Sequence, residues 1–263
     1  MTLKLLKYDF RCMFKQFAIV WPTALVIALI SGLVQSGPGG LNFSGPTSTI
    51  IMLLFVGVMI AMSVISIVFV LTRFNSGLLR DEGYLMFTLP VTPVQLIFSK
   101  LLTALVVACI SGIIGLMSLL LLGLNYISIP TLFGDIRDFI VRVNDVEPRW
   151  WIAGLELVIA ALATIAGQIL EIYLCIAIGH LFQRHRTAAA IVAYVLLSSV
   201  KSQLLNALGR LLGDTGLLNW IYNSGAFASS AYALLFYIGI MLVSCVIYFA
   251  GTAYILSRKL NLE

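Results

Sequence analysis

Charge is what this chain has least of. Of its 263 residues only 10% are Asp, Glu, Lys or Arg, whereas 61% are hydrophobic. A soluble domain carries roughly 25% charged and 45–50% apolar residues. The balance excludes an ordinary soluble domain and predicts a polytopic membrane protein, for which length says little about domain number. Histidine is nearly absent, with only His180 and His185. Cys12, Cys109, Cys175 and Cys245 stand too far apart for metal-ligand spacing or a disulfide framework. Three of them lie in apolar runs, where a thiol behaves as a small hydrophobe. There is no Gly-Lys dipeptide, hence no phosphate-cradling Walker loop, and no HExxH, Gly-x-Ser-x-Gly or Cys-x-x-Cys. Without paired catalytic groups the chain is not expected to be an enzyme by itself, nor to hold a metal or cofactor. No basic, aromatic-interleaved patch points to nucleic acid. A cleavable signal peptide is not expected either, because the first apolar run is long and lacks a small-residue cleavage site.

What the chain does have is long apolar runs. A membrane-spanning helix needs about 20 mostly apolar residues. Six segments qualify: Phe17–Val34, Thr49–Leu71, Ile97–Leu124, Trp151–Leu181, Ala188–Leu208 and Ala231–Leu256. The fifth is the weakest, being interrupted by Lys201, Gln203 and Asn206. The expected fold is therefore all-α, one transmembrane domain over residues 1–263 with a six-helix membrane part at 17–256.

Lys and Arg in the loops set the orientation. With the N-terminus inside, the inner side holds Lys4, Lys7, Arg11, Lys15, Arg73, Arg80, Lys100, Arg184, Arg186, Arg258 and Lys259. The outer side holds Arg137, Arg142, Arg149 and Arg210, largely offset by Asp135, Asp138, Asp145 and Glu147. Both termini are expected in the cytoplasm, with the chain multi-pass in the cell membrane.

Residues 1–16 read as an amphipathic helix in the interface. Leu3, Leu6, Phe10, Met13 and Phe17 form one stripe, with Lys4, Lys7, Arg11 and Lys15 beside it. Ile136, Phe139, Ile140 and Val143 have helical spacing and predict a second, short amphipathic helix on the outer surface. Trp21, Trp150, Trp151 and Trp220 stand near span ends, as headgroup-level anchors do.

Inside the spans, Glu156 lies near the start of the fourth and Glu171 deeper, with Gln168 three residues before it on the expected same face. Ionisable residues in a span usually face a cavity or a partner. These three are candidates for a substrate path or gate; a helix–helix hydrogen bond, or headgroup level for Glu156, is the plainer reading. Lys201 is a candidate partner for either acid. Ala104, Ala108 and Gly112 recur every fourth residue, and Ala188, Ala189, Ala190 and Ala193 resemble them. Such small residues serve close helix packing, within one chain or at a dimer seam.

Between the second and third spans, residues 72–96 form a charged, aromatic and proline-punctuated loop. Thr92-Pro93-Val94-Gln95 is a helix start, with threonine as cap and proline in the first turn. Pro90 forces Leu89 out of helical geometry. Upstream, Tyr84, Leu85, Phe87 and Leu89 offer apolar contacts and Arg80, Asp81 and Glu82 polar ones. Exposed apolar groups rimmed by charge mark protein or membrane contact.

The runs Glu82-Gly83-Tyr84-Leu85, Thr88-Leu89-Pro90-Val91 and Ser99-Lys100, with the basic N-terminal helix and the ending Leu256-Ser257-Arg258-Lys259-Leu260, resemble the type-2 ABC exporter permeases of Gram-positive bacteria. The resemblance spans most of the chain in topology and about a tenth of it in motif. It implies that residues 1–16 are the elbow helix. It also implies that Arg80, Asp81, Glu82, Gly83, Tyr84, Leu85, Phe87, Thr88, Leu89 and Pro90 form a coupling helix seated on a separate ATP-binding subunit. The implied partners are two such subunits, which would bind ATP and Mg, and a second permease, identical or paralogous. The implied activity is export of a hydrophobic or amphipathic peptide, drug or lipid by alternating access. The competing expectations are an ion-coupled secondary transporter using Glu156 or Glu171, and a membrane sensor that moves nothing.

Overall fold

A computed structural model of the chain describes residues 2–35, 46–79, 93–123, 134–135, 137–138, 140–141, 150–182, 185–214 and 226–258. Six long helices account for nearly all of them: α1 (Thr2–Gln35), α2 (Pro46–Leu79), α3 (Pro93–Gly123), α4 (Trp150–Gly179), α5 (Arg186–Asp214) and α6 (Ala226–Arg258). No strand occurs among the described residues. Five helices carry stretches long and apolar enough to cross a membrane: Thr49–Thr72, Val94–Leu122, Trp151–Gly179, Arg186–Arg210 and Ala231–Ser257. α1 contributes a shorter apolar stretch, Phe17–Gly32.

The helical state follows from the composition. In hydrocarbon, backbone amides and carbonyls have no water to bond, so a crossing segment must satisfy them within itself. Hydroxyls along the helices obey the same rule. Ser31 donates to the Ile27 carbonyl, Ser118 to Ile114, Thr164 to Ala160, Ser244 to Ile240 and Thr252 to Tyr248, each four residues back at 2.7–2.9 Å. Apolar side chains face outward on these helices, including Leu157, Ile191 and Val246. In water that would be a liability; against lipid it is the expected surface.

Parts of the expected layout change in the structure. The interfacial helix and the first span are not separate elements, because α1 runs unbroken from Thr2 to Gln35 with Pro22 inside it. Pro22 removes only its own donor, leaving the Ala18 carbonyl without its usual partner, a loss that membrane helices tolerate. The fifth span is a continuous helix, α5, and as expected from its polar residues it is the least apolar of the five crossing-length stretches; Lys201 pairs with Glu171, and Gln203 and Asn206 are exposed. Lys100 does not belong to a solvated loop; it lies in α3, 2% exposed. The helix start at Pro93 is as expected. Residues 134–135, 137–138 and 140–141 are helical, with Asp135, Arg137, Asp138 and Ile140 exposed. Of the loop expected at residues 72–96, residues 72–79 belong to α2 and 93–96 to α3, while 80–92 lie outside the described residues.

The chain divides into two compact units. One comprises Met1–Val70 and Leu102–Arg142, the other Leu71–Leu101 and Val143–Glu263. In the first, Phe17, Phe69 and Val107 form a buried cluster with Val20 and Trp21 against it. Trp21, expected near headgroup level, makes defined contacts within the chain. Its ring packs on Phe17 at 5.2 Å, and its indole N–H donates to Ser111 Oγ at 3.2 Å. In the second unit, α4 packs against both α5 and α6.

Candidate functional site

The second unit is organised around α4. Thr164 Oγ1 and Tyr237 OH share a hydrogen bond at 2.9 Å, Cys245 Sγ lies against Gly167 and Ala163, and Leu174 lies over Gly251. Rising numbers on α4 meet rising numbers on α6, so these two helices run parallel. Falling numbers on α5 meet rising ones on α4: Lys201 meets Glu171, and Arg186 and Ala190 meet Gly179. Those two are antiparallel. A Cβ built on Gly179 would stand 2.6 Å from the Arg186 carbonyl oxygen and 2.8 Å from the Ala190 Cβ, so only glycine allows this approach. Ala190 and the buried Ala193 thus serve packing within the chain.

At the centre of this arrangement stands an ion pair. Lys201 Nζ donates to Glu171 Oε2. Glu171 is 1% exposed. Its Oε1 is buried and has no hydrogen-bond partner among the described residues. Lys201 sits 15 residues after the start of α5 and 13 before its end. At 1.5 Å per residue it is about 20 Å from either end, mid-helix. Removing one charge from water at that depth is costly, and pairing is the standard remedy. Of the two acids proposed as partners for Lys201, Glu171 is the one it joins.

Next to the pair runs a groove between α5 and α6, with a cavity volume of about 650 Å³. Leu204, Leu208, Phe236 and Val243 are among its apolar lining, and Lys201, Ser244 and Tyr248 are its polar members. Tyr248 itself is buried.

Two further buried groups escaped the sequence reading. Tyr173 is fully buried, stacks on Phe74 with ring centroids 4.0 Å apart and 11° between planes, and donates to the Lys100 carbonyl at 3.3 Å. The signal available was a tyrosine two residues from the deep acid, in a span with few polar groups. Asp9 on α1 is buried as well.

The remaining predicted residues scatter. Glu156 is on the buried stripe of α4 with Ala153, Ala160 and Ala163, and its Oε2 has no partner among the described residues. It is fifteen residues, roughly 22 Å along the helix, from Glu171. The structure does not bring the two together. Gln168 is exposed whereas Glu171 is buried, so the three-residue step turns it out of the site and the expected shared face is not formed. Arg80, Asp81, Glu82, Gly83, Tyr84, Leu85, Phe87, Thr88, Leu89 and Pro90 fall outside the described residues. His180 and His185 flank the α4–α5 turn, and a smaller cavity there, about 350 Å³, is lined by His180, Arg186 and Thr187 among others. No cluster of metal-ligating groups occurs among the described residues.

This arrangement can hold an uncharged or charge-balanced polar group at mid-helix depth with apolar surface beside it. Among the described residues it offers no paired nucleophile and base. Comparison with protein-family models, with curated proteins and with solved structures finds no match for this chain.

Proposed function

We propose that the chain is the transmembrane permease subunit of an ATP-driven exporter. It moves a hydrophobic or amphipathic substrate out of the cell, powered by a separate ATP-binding chain. The observation that carries this reading is the Glu171–Lys201 pair set beside the α5–α6 groove at mid-helix depth. A charge pair in a span is expensive, and where it occurs it generally borders a path or a moving interface. The second support is the resemblance in the runs 82–85, 88–91 and 99–100.

In this reading α1 supplies the sixth crossing through Phe17–Gly32, its first turns lie in the interface, and both termini are cytoplasmic. Residues 80–93 dock in the ATPase. Two permeases and two ATPases assemble, and ATP binding biases a bistable pair of membrane subunits between inward-open and outward-open states. ATP and Mg belong to the partner subunit.

Co-purification with the ATP-binding protein encoded beside this chain, followed by vanadate-sensitive ATPase assays in lipid, tests it. A stable complex that is lost on Tyr84→Ala combined with Phe87→Asp is expected. A folded protein that captures no ATPase would sink the reading.

A second reading has its own observation. The buried oxygens Glu156 Oε2 and Glu171 Oε1 have no partner among the described residues, and buried carboxyls within spans can serve as proton carriers. It describes an ion-coupled secondary transporter, and it predicts transport driven by a pH gradient with no ATPase present.

A further inference from the structure

The α5–α6 groove is apolar along most of its length and charged at one place. Phe236 and Tyr248 both line it and are twelve residues apart on α6, roughly 18 Å of helix. Because α6 runs parallel to α4 and α5 antiparallel, Tyr248 and Lys201 come to the level of Glu171, while Phe236 and Leu208 lie together towards the other end. The polar end is therefore within the helices, about 20 Å from either end of α5 and about 12 Å from the end of α4. Lys201 is 28% exposed, and an ammonium has three donors, of which Glu171 Oε2 takes one. The cavity volume, about 650 Å³, falls in the ordinary range for a small-ligand site.

We infer that this groove binds a single-chain amphiphile with an acidic headgroup, a carboxylate or a monoester phosphate, whose headgroup rests on Lys201 Nζ and whose chain runs towards Leu208 and Phe236. As a statement about cargo it rests on the exporter reading; as a statement about binding it rests on the groove alone.

Charge balance dictates how the ligand enters. A bare anion added to a neutral pair would leave one unbalanced negative charge at mid-membrane depth. The ligand therefore brings its own proton with it, so that the net charge of the site is the same before and after binding. The other titratable side chains around Glu171 are Cys175 on its own helix and Tyr248 on α6.

The test is photolabelling of the intact chain in lipid nanodiscs with a diazirine analogue of palmitate, followed by mapping of the labelled residues. Unlabelled palmitate, lysophosphatidic acid and the uncharged alcohol of the same chain length serve as competitors. Labels are expected to concentrate on the groove faces of α5 and α6. At least one of the two acids should compete about tenfold or more better than the alcohol, the factor of one charge-assisted hydrogen bond. Whichever acid competes better identifies carboxylate or phosphate. Glu171→Gln, which frees Lys201, should tighten palmitate binding, and Lys201→Met should abolish the preference over the alcohol. Val243→Trp fills the groove without touching the ion pair and should remove the labelling, which keeps the test sound if Lys201→Met fails to fold. Labels spread evenly over all six helices, or an alcohol that competes as well as both acids, would overturn the inference. The assay contains no ATPase, so its failure is separate from a failure of the exporter reading.

Discussion

The two units of this chain solve the same problem with different chemistry. Helices in lipid gain little from hydrophobic contact with each other, because the solvent is as apolar as they are. Packing shape and the few polar atoms must decide which helices meet. In the unit of Met1–Val70 and Leu102–Arg142, shape does most of it. Phe17 meets Phe69 edge-on at 5.4 Å, Met59 and Met62 lie against Gly115, and Trp21 donates across helices to Ser111. In the unit of Leu71–Leu101 and Val143–Glu263, polar atoms give each helix an address. Lys201 joins Glu171, Thr164 joins Tyr237, and Tyr173 reaches the Lys100 carbonyl. The second unit also holds the α5–α6 groove. Specificity and the candidate site come from the same polar residues.

The largest test of that contrast is Lys201→Met. It leaves Glu171 buried with no counter-charge, and breaking one side of a buried pair typically costs about 3–5 kcal/mol. Unfolding of the purified protein in mixed micelles should show a loss of that order. The double variant Lys201→Met with Glu171→Leu should recover most of it, because the penalty is the orphaned charge and not the missing attraction. If the single variant is as stable as the wild type, the pair does not organise the second unit.

Next comes Gly179→Val. The added atoms would meet backbone at Arg186 as well as the Ala190 side chain, and backbone cannot rotate away. Overpacking of this kind costs about 1–3 kcal/mol, and the upper end is expected here. The loss should be read in the same unfolding assay. Gly167 and Gly251 face only side-chain atoms, at 3.5 and 3.1 Å, so alanine at either should cost much less.

Composition made the class of fold legible, and apolar run length placed the helices. Five of the six expected spans correspond to helices that qualify for crossing by length and composition, and the start at Pro93 was readable from proline's place in a first turn. What could not be read was everything that depends on which helix meets which. The apolar stripe of residues 1–16 is real as a pattern, yet it continues without a break into Phe17–Gly32, and nothing local says whether a helix bends at a boundary. Glu171 stood out by depth, but its partner was undecided because Lys201 is thirty residues away along the chain. Gln168 illustrates the opposite failure: a step of three residues turns a helix by about 300°, enough to carry it from a buried face to an exposed one. Lys100 was counted among the loop cations because charge alone was considered. Its burial and the stacking of Phe74 on Tyr173 are tertiary facts.

A smaller effect is expected in the first unit. Trp21→Phe keeps most of the aromatic surface and removes one hydrogen bond to Ser111. Such a bond is worth about 1 kcal/mol, and cross-helix bonds in membranes average somewhat less. A stability loss well above that value would mean that the first unit too depends on polar wiring, and the contrast between the units would weaken.

The smallest effect separates packing inside the chain from packing between chains. Ala104 is buried, whereas Gly112, two turns along the same stripe of α3, is exposed, and a Cβ added there would meet nothing within 4 Å. Gly112→Leu should therefore leave the stability of the monomer within about 0.5 kcal/mol of the wild type, as substitutions away from packed features do. Glycine's low helix propensity pushes the change, if anything, towards gain. Small residues at four-residue spacing are nevertheless the pattern that lets two membrane helices approach closely. Chemical cross-linking of the protein in nanodiscs loaded at two copies each would read that second use. Unchanged stability with lost cross-linking would place the seam between two copies of the chain on the Gly112 face of α3. Unchanged stability with unchanged cross-linking would assign that face to lipid, and the seam would have to be sought on another exposed surface.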